Sequence, residues 1–326
     1  MDTRALRYNE YREIIDQRLA SVIDREKPVT MYDPARYVLS GGGKRIRPVL
    51  VMLACQAVGG DPLDAVEAGV AVEILHNFTL VHDDIMDRAD TRRGRETVHR
   101  KWDENIAILV GDELMGIAYK TLLNTEKGDV RAMTRVFTDG VIEVCEGQSY
   151  DKEFENLPSV SEEEYLMMIG KKTGWLVVIS AEIGAIIGGA TEAQRSALVE
   201  YARCIGRAFQ VQDDLLDVVA DEAKLGKPIG GDIIEGKKTW LLVNALERAE
   251  GEDLALLQRV ATRTAKHDGL VEEVTRVYTK LGILESATDK IAEDTTAALA
   301  ALEVLEENEG RRMLLWLAQM LLERKH

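Results

Sequence analysis

Apolar residues recur along most of this chain at the three-to-four-residue spacing of an amphipathic helix. Leu6, Tyr11, Ile14, Ile15, Leu19 and Val22 make one such stripe between Arg4 and about Glu26, ending before Pro28. The turn Leu39-Ser40-Gly41-Gly42-Gly43 leads into a helix whose first turn holds Pro48, where a missing N–H costs nothing. Pro62 opens a long helix through Val66, Val70, Ile74 and Phe78, and a polar loop from Arg88 to Thr97 follows it. The period continues over Asn105 to Leu123 and Val130 to Tyr150, broken at Lys127-Gly128-Asp129. Ser161-Glu162-Glu163-Glu164 spells a capping box for a helix reaching Lys171-Lys172-Thr173-Gly174. Trp175 to Gly189 and Glu192 to Val219 read as helices, and Asp221 to Gly236 as a polar loop. Periodicity returns at Lys237 and runs on with breaks near Gly251, Gly269 and Gly310. No alternating run is flanked by Asn-Gly or Asp-Gly turns, so the pattern predicts an all-α fold, with no linker or internal repeat.

Two clusters interrupt the apolar helices: Asp83, Asp84 and Asp87, then Asp213, Asp214 and Asp217. On a helix the i, i+1, i+4 spacing puts three carboxylates on one face. Asp is a poor helix former and like charges four apart repel, so each cluster weakens the helix that carries it. A lone cluster of this kind is as readily a solvated face or a cap. Two clusters embedded in apolar sequence (ILHNFTLVHDD, RAFQVQDDLLD) point instead to function. Facing carboxylate clusters suit Mg2+, which binds through a few carboxylates and keeps waters and substrate phosphates as its other ligands.

The formal net charge of −16 argues against nucleic acid and anionic membranes as partners. Basic residues are gathered in islands: Lys44-Arg45-Ile46-Arg47, Arg92-Arg93-Gly94-Arg95, Lys171-Lys172, Lys224 to Lys227, and Lys237-Lys238. Any one of these reads most simply as a solvated face. Five of them beside glycines or Asp clusters point to phosphate-bearing substrates, because glycine lets backbone N–H groups approach an anion. Cys55, Cys145 and Cys204 are single and widely spaced, which fits core residues of a reducing compartment rather than disulfides or a zinc site. The first residues, MDTRALRYNEYREIID, lack an apolar signal core, and no stretch offers the roughly 18 apolar residues of a membrane span. A soluble cytoplasmic protein without stable membrane insertion is expected.

The motifs GGGKRIRP (41–48), HNFTLVHDDIMD (76–87), DTRRG (90–94), GD (111–112), GQ (147–148), KTG (172–174), FQVQDDLLD (209–217), GKPIGGD (226–232) and EGKKT (235–239) share order, spacing and spelling with one family. Over nearly its whole length the chain resembles the trans-isoprenyl diphosphate synthases, or polyprenyl synthetases. The resemblance implies one domain over residues 1–326, a helical bundle around a deep central cavity, a homodimer, and three Mg2+ per active site. It implies condensation of isopentenyl diphosphate with an allylic diphosphate. By the same resemblance Asp83, Asp87 and Asp213 hold metal, with Asp84, Asp214 and Asp217 orienting ligands or waters behind them. Arg92, Lys172, Lys227 and Lys237 contact the allylic diphosphate, and Thr173 and Gln210 line the place where the carbocation forms. Lys44, Arg47, His76 and Arg93 form a metal-free pocket for isopentenyl diphosphate. Within the pairs Lys171/Lys172 and Lys237/Lys238 the choice follows motif alignment alone, and His82 reads as an ordinary helix histidine. Phe78, five residues before Asp83, and then Leu75 should floor the cavity and limit the product to geranylgeranyl or farnesyl diphosphate. Trp175 and Trp240 stand where smaller residues are expected. A non-catalytic subunit of a heteromeric prenyltransferase and a class I terpene cyclase are the competing readings. The first usually loses an Asp cluster, and the second lacks GGGKRIRP.

Overall fold

Why each helix starts and stops can be followed through residues 2–219 and 229–322, which the computed structural model describes. The elements are α1 (Thr3–Ala20), α2 (Val29–Leu39), α3 (Ile46–Ala57), α4 (Val66–Met86), β1 (Thr91–Arg92), β2 (Arg95–Glu96), α5 (Val98–Lys101), α6 (Glu104–Leu122), α7 (Val130–Phe154) and α8 (Glu162–Ile169). They continue with α9 (Trp175–Ile187), α10 (Glu192–Val219), α11 (Gly231–Glu235), α12 (Trp240–Arg248), α13 (Gly251–Ala261), α14 (Leu270–Lys280), α15 (Ile283–Ala301) and α16 (Glu309–Leu322). The fold is all-α, as the periodicity predicts. Its strands among the described residues are the two-residue arms of one hairpin, Thr91 opposite Glu96 and Arg92 opposite Arg95.

The chain divides into two compact units: Met1–Thr138 with Ile179–Leu198 and Val304–Leu314, and Asp139–Val178 with Val199–Glu303 and Leu315–His326. In the first, α4 is the central element, packed between α3 and α6. Val70, Ala71, Val72, Ile74 and Leu75 are all buried, so over this stretch the helix is buried on every side, with Glu73 the one charged residue among them. Gly69 permits the close approach to α3, since a Cβ there would lie 3.0 Å from the Pro48 carbonyl. In the second unit, Tyr165, Met168, Val211, Trp240, Leu241 and Leu242 belong to one core around α12.

The capping box is formed at α8, with Ser161 Oγ accepting from Glu164 N–H and the Glu164 carboxylate accepting from Ser161 N–H. Elsewhere the boundaries differ from expectation for local reasons. Helix α1 stops at Ala20, where Ser21 N–H turns back to the Arg18 and Leu19 carbonyls, and leaves Val22 outside. Pro62 opens a 3-10 turn, capped by the Asp61 carboxylate on Leu63 N–H, before α4 begins at Val66. Gly310 does not break a helix. It lies inside α16, and a side chain there would collide with the Ala57 backbone, so it marks a close approach. The expected polar loop contains α11, while Ala220 to Pro228 lie outside the described residues. Cys55 and Cys204 are buried as expected, but Cys145 is exposed and not a core residue.

Candidate active site

The first carboxylate cluster occupies the last turn of α4. Asp83 is half-buried, Asp84 is buried, and Asp87 is the exposed C-cap, its N–H bonded to the Asp83 carbonyl. Asp84 Oδ1 accepts from Arg92 Nε at 2.6 Å. Burial pushes the Asp84 carboxyl up, and the Arg92 guanidinium opposes that shift. Arg92 reaches it because the β1–β2 hairpin folds back over the helix end through Arg93 and Gly94, whose φ values of 52° and 72° are both left-handed. That pair of positive φ angles is what a tight two-residue hairpin turn requires. A hollow of about 50 Å3, lined by Asn77, Asp84, Arg92 and Arg93 among others, lies beneath the hairpin, with room for a few waters.

Two turns earlier on α4, His76 meets the start of α3. Arg47 Nη1 and His76 Nε2 lie 3.3 Å apart. Burial and then the charges of Arg47 and Arg93 hold the His76 imidazole well below its ordinary pKa, so the ring is neutral. Arg47 Nε and His76 Nδ1 are buried without a hydrogen-bond partner. Buried polar atoms are normally satisfied, so these two mark a place built for another acceptor. Arg93 donates from Nη1 to the Gly42 carbonyl and lies against Gly43, which brings the hairpin to the glycine turn. Lys44 is exposed beside it, and its carbonyl accepts from the Tyr8 hydroxyl.

The second cluster lies near the end of α10. Asp213 is exposed, whereas Asp214 is buried and accepts from the Tyr165 hydroxyl at 2.5 Å, Trp240 N–H at 2.8 Å and Gln210 Nε2 at 3.2 Å. Burial nevertheless pushes its carboxyl up to about 7. Asp217 accepts from Asp232 N–H at 3.0 Å at the start of α11, and its pKa is raised by burial and then by the Asp232 charge. Neither triplet closes on a single point among the described residues. In each, the middle Asp is buried and held by protein donors, while Asp83, Asp87 and Asp213 are partly or fully exposed and Asp217 is half-buried on the Asp232 N–H.

The cationic residues of this unit are distinguished by their partners. Lys172 Nζ binds Asp151 at 2.6 Å, while Lys171 is held by Glu143 and Glu146. Lys237 is exposed and bridges Asp232 and Glu235, both at 3.0 Å, but Lys238 is buried with Nζ on the Ala261 carbonyl. A π-turn, Gly170–Gly174, carries Lys172 and the half-buried Thr173. It sits against Gly147 and Gly206: a side chain at Gly147 would collide with Lys172 N–H, and a Cβ at Gly206 would lie 3.1 Å from Gly174 Cα. Gln210 commits its amide N–H to Asp214, which leaves its carbonyl oxygen as an acceptor. Lys227 lies outside the described residues.

Phe78 and Leu75 are both buried on α4. The Phe78 ring meets His82 edge-on, with centroids 4.8 Å apart. His82 is in turn pressed against Gly111, where any side chain would overlap its imidazole. This explains Gly111 of the GD motif and gives His82 a packing role that its sequence position does not reveal. Trp240 is part of the second unit's core, its indole N–H on Glu162 at 3.1 Å, and Trp175 is half-buried, with the Arg203 guanidinium 6.0 Å from its ring. Sequence reasoning missed Tyr165 and Arg45, whose partners lie 49 and 28 residues away and leave no local signal.

The polyprenyl synthetase family profile matches residues 28–278. A short chain isoprenyl diphosphate synthase of Methanothermobacter thermautotrophicus is 42% identical over 97% of both chains. A geranylgeranyl diphosphate synthase of Methanosarcina mazei is 38% identical over 96% of this chain and 95% of the relative. The crystal structure of a geranylgeranyl pyrophosphate synthetase from Pyrococcus horikoshii superimposes with a TM-score of 0.93, at 39% identity and 99% coverage of both chains. This chain belongs to the polyprenyl synthetase family and is a prenyltransferase of isoprenoid biosynthesis.

Proposed function

We propose that the chain joins isopentenyl diphosphate head to tail (1'-4) to an allylic diphosphate, releasing pyrophosphate and giving an all-trans product, chiefly geranylgeranyl diphosphate, with farnesyl diphosphate next. The observation that carries this reading is the arrangement on α4. A cationic pocket with unsatisfied N–H groups at Arg47 and His76 lies along α4 seven residues, roughly 10 Å, before Asp83, the first carboxylate of the cluster that ends at Asp87. One anion can therefore bind without metal and another beside the carboxylates. Lys44, Arg47, His76 and Arg93 hold isopentenyl diphosphate. Arg92, Lys172, Lys227 and Lys237 hold the allylic diphosphate, and Thr173 and Gln210 present oxygens to the developing cation.

The donor set at the carboxylates is all oxygen, with Asp83 and Asp87 one turn apart and Asp213 exposed, which fits Mg2+ better than a softer ion. Three Mg2+, when bound, supply positive charge to the departing pyrophosphate. Lys172, Lys237 and Arg92 add fixed charge at the same anion, where it stabilises charge as it develops. Apolar walls keep water from the cation. The proton lost from the condensed product goes to the released pyrophosphate, so no protein base is needed.

A homodimer in the cytoplasm completes the proposal. Ile108, Leu109 and Leu123, on and just after α6, are exposed apolar side chains that a second copy would cover, and the free cysteines fit a reducing compartment. Both Asp triplets are present together with the cationic pocket, which favours an enzyme over a non-catalytic subunit or a cyclase. The test is incubation of purified protein with Mg2+, labelled isopentenyl diphosphate and each short allylic diphosphate, followed by product sizing. Absence of isopentenyl diphosphate consumption with every starter would overturn the proposal.

A further inference from the structure

Arg45 stands between two residues of the cationic pocket, yet its side chain points away from it. Its backbone is left-handed, with φ 55°, at the N-cap of α3, a conformation uncommon for a residue with a side chain. The guanidinium is buried and divided among three elements. Nη1 donates to Glu73 on α4 at 2.6 Å, Nε to Asp16 on α1 at 2.8 Å, and Nη2 to the Leu39 carbonyl at the end of α2 at 3.3 Å. Glu73 is itself buried, and it sits one turn before His76. It is the carboxylate whose charge acts on both Arg47 and Arg93, so without a nearer cation it is placed to compete for them.

A buried carboxylate demands a partner, and it takes the nearest available cation. With Arg45 at 2.6 Å that demand is met from the side facing α1 and α2. Arg47 then keeps Nε without a protein partner and Nη1 against a neutral His76. We infer that Arg45 is a positioning residue that neutralises Glu73, and so keeps Arg47 and Arg93 available for the diphosphate of isopentenyl diphosphate. The left-handed backbone serves the same end, since it turns the side chain at 45 away from those at 44 and 47. This inference rests on the assignment of the cationic pocket to isopentenyl diphosphate.

The test compares Arg45→Met, the charge-neutral double variant Arg45→Met/Glu73→Gln, and Arg47→Ala in steady-state kinetics with both substrates. Arg45→Met leaves Glu73 to pair with Arg47, so KM for isopentenyl diphosphate should rise at least tenfold while KM for the allylic diphosphate stays within about twofold of wild type. In the double variant the competing carboxylate is gone, and KM for isopentenyl diphosphate should return to within about threefold of wild type. A purely structural role for Arg45 would not be rescued by removing its partner as well. If Arg45→Met does not fold, the double variant decides alone: near-normal KM supports the inference and a tenfold rise overturns it. A folded Arg45→Met with unchanged KM, or a double variant as impaired as the single, also overturns it. Arg47→Ala separates the two levels. If it leaves KM for isopentenyl diphosphate unchanged, the pocket assignment itself is wrong. If it raises KM and Arg45→Met does not, only the role of Arg45 falls.

Discussion

The hydroxyl of Tyr165 lies 2.5 Å from Oδ2 of Asp214, and both side chains are buried. The same carboxylate accepts from Trp240 N–H and Gln210, so one buried group ties α8, which leads into the Lys172 turn, to α10 and to the start of α12. Tyr165→Phe removes one donor and leaves Asp214 under-satisfied. It should cost about 1–3 kcal/mol of stability, measured by urea denaturation. An unchanged midpoint would mean that the contact is not stabilising.

Asp214 also predicts a pH dependence of known sign. Burial raises its carboxyl to about 7 in the folded protein, against roughly 3.9 in an unfolded chain. Between these values the folded state holds a proton that the unfolded state has lost. The stability contributed by Asp214 is therefore complete below about pH 4 and is lost as pH rises through about 7. Asp214→Asn mimics the protonated form and should remove this dependence. In the metal-free protein, wild type should lose stability relative to the variant between pH 5 and pH 8; a constant difference across that range would refute the assignment.

Asp83→Ala and Asp213→Ala each remove a proposed metal ligand from a partly or fully exposed position, where truncation opens no cavity in the core. Turnover should fall by orders of magnitude while circular dichroism and the melting temperature stay near wild type. Near-normal turnover with Mg2+ in either variant would show that the ligand set is wrong.

Phe78 lies five residues before Asp83, about 7 to 8 Å along α4, with its ring braced by His82. Phe78→Ala opens space behind the proposed floor. Its products should be longer by one or more isoprene units in a chromatographic sizing assay. An active variant with an unchanged product distribution would move the floor elsewhere, with Leu75 and Trp175 the next residues to substitute.

The order of the helices, the α8 capping box, both Asp triplets and the family motifs were legible in the sequence because they are written in residues a few positions apart. Helical period, caps and i, i+4 clusters are short-range physics, and composition adds only the charge that isolates the basic islands. The tertiary structure alone decided which member of each cluster faces solvent. Asp84 and Asp214 are turned inward because Arg92, Tyr165 and Trp240 reach them, and Tyr165 and Trp240 come from elements 49 and 26 residues away. It likewise separated Lys237, exposed beside Asp232, from Lys238, buried on the Ala261 carbonyl, although the two are neighbours in sequence. Gly310 reads as a helix stop until the Ala57 backbone is found against it. In the KRIR island the three basic residues divide into an outward Lys44, an inward Arg47 and an Arg45 bound to Glu73, and nothing local distinguishes them. A buried polar group is assigned its role by the partner that folding brings to it, and that partner is fixed by packing between distant elements rather than by neighbouring residues.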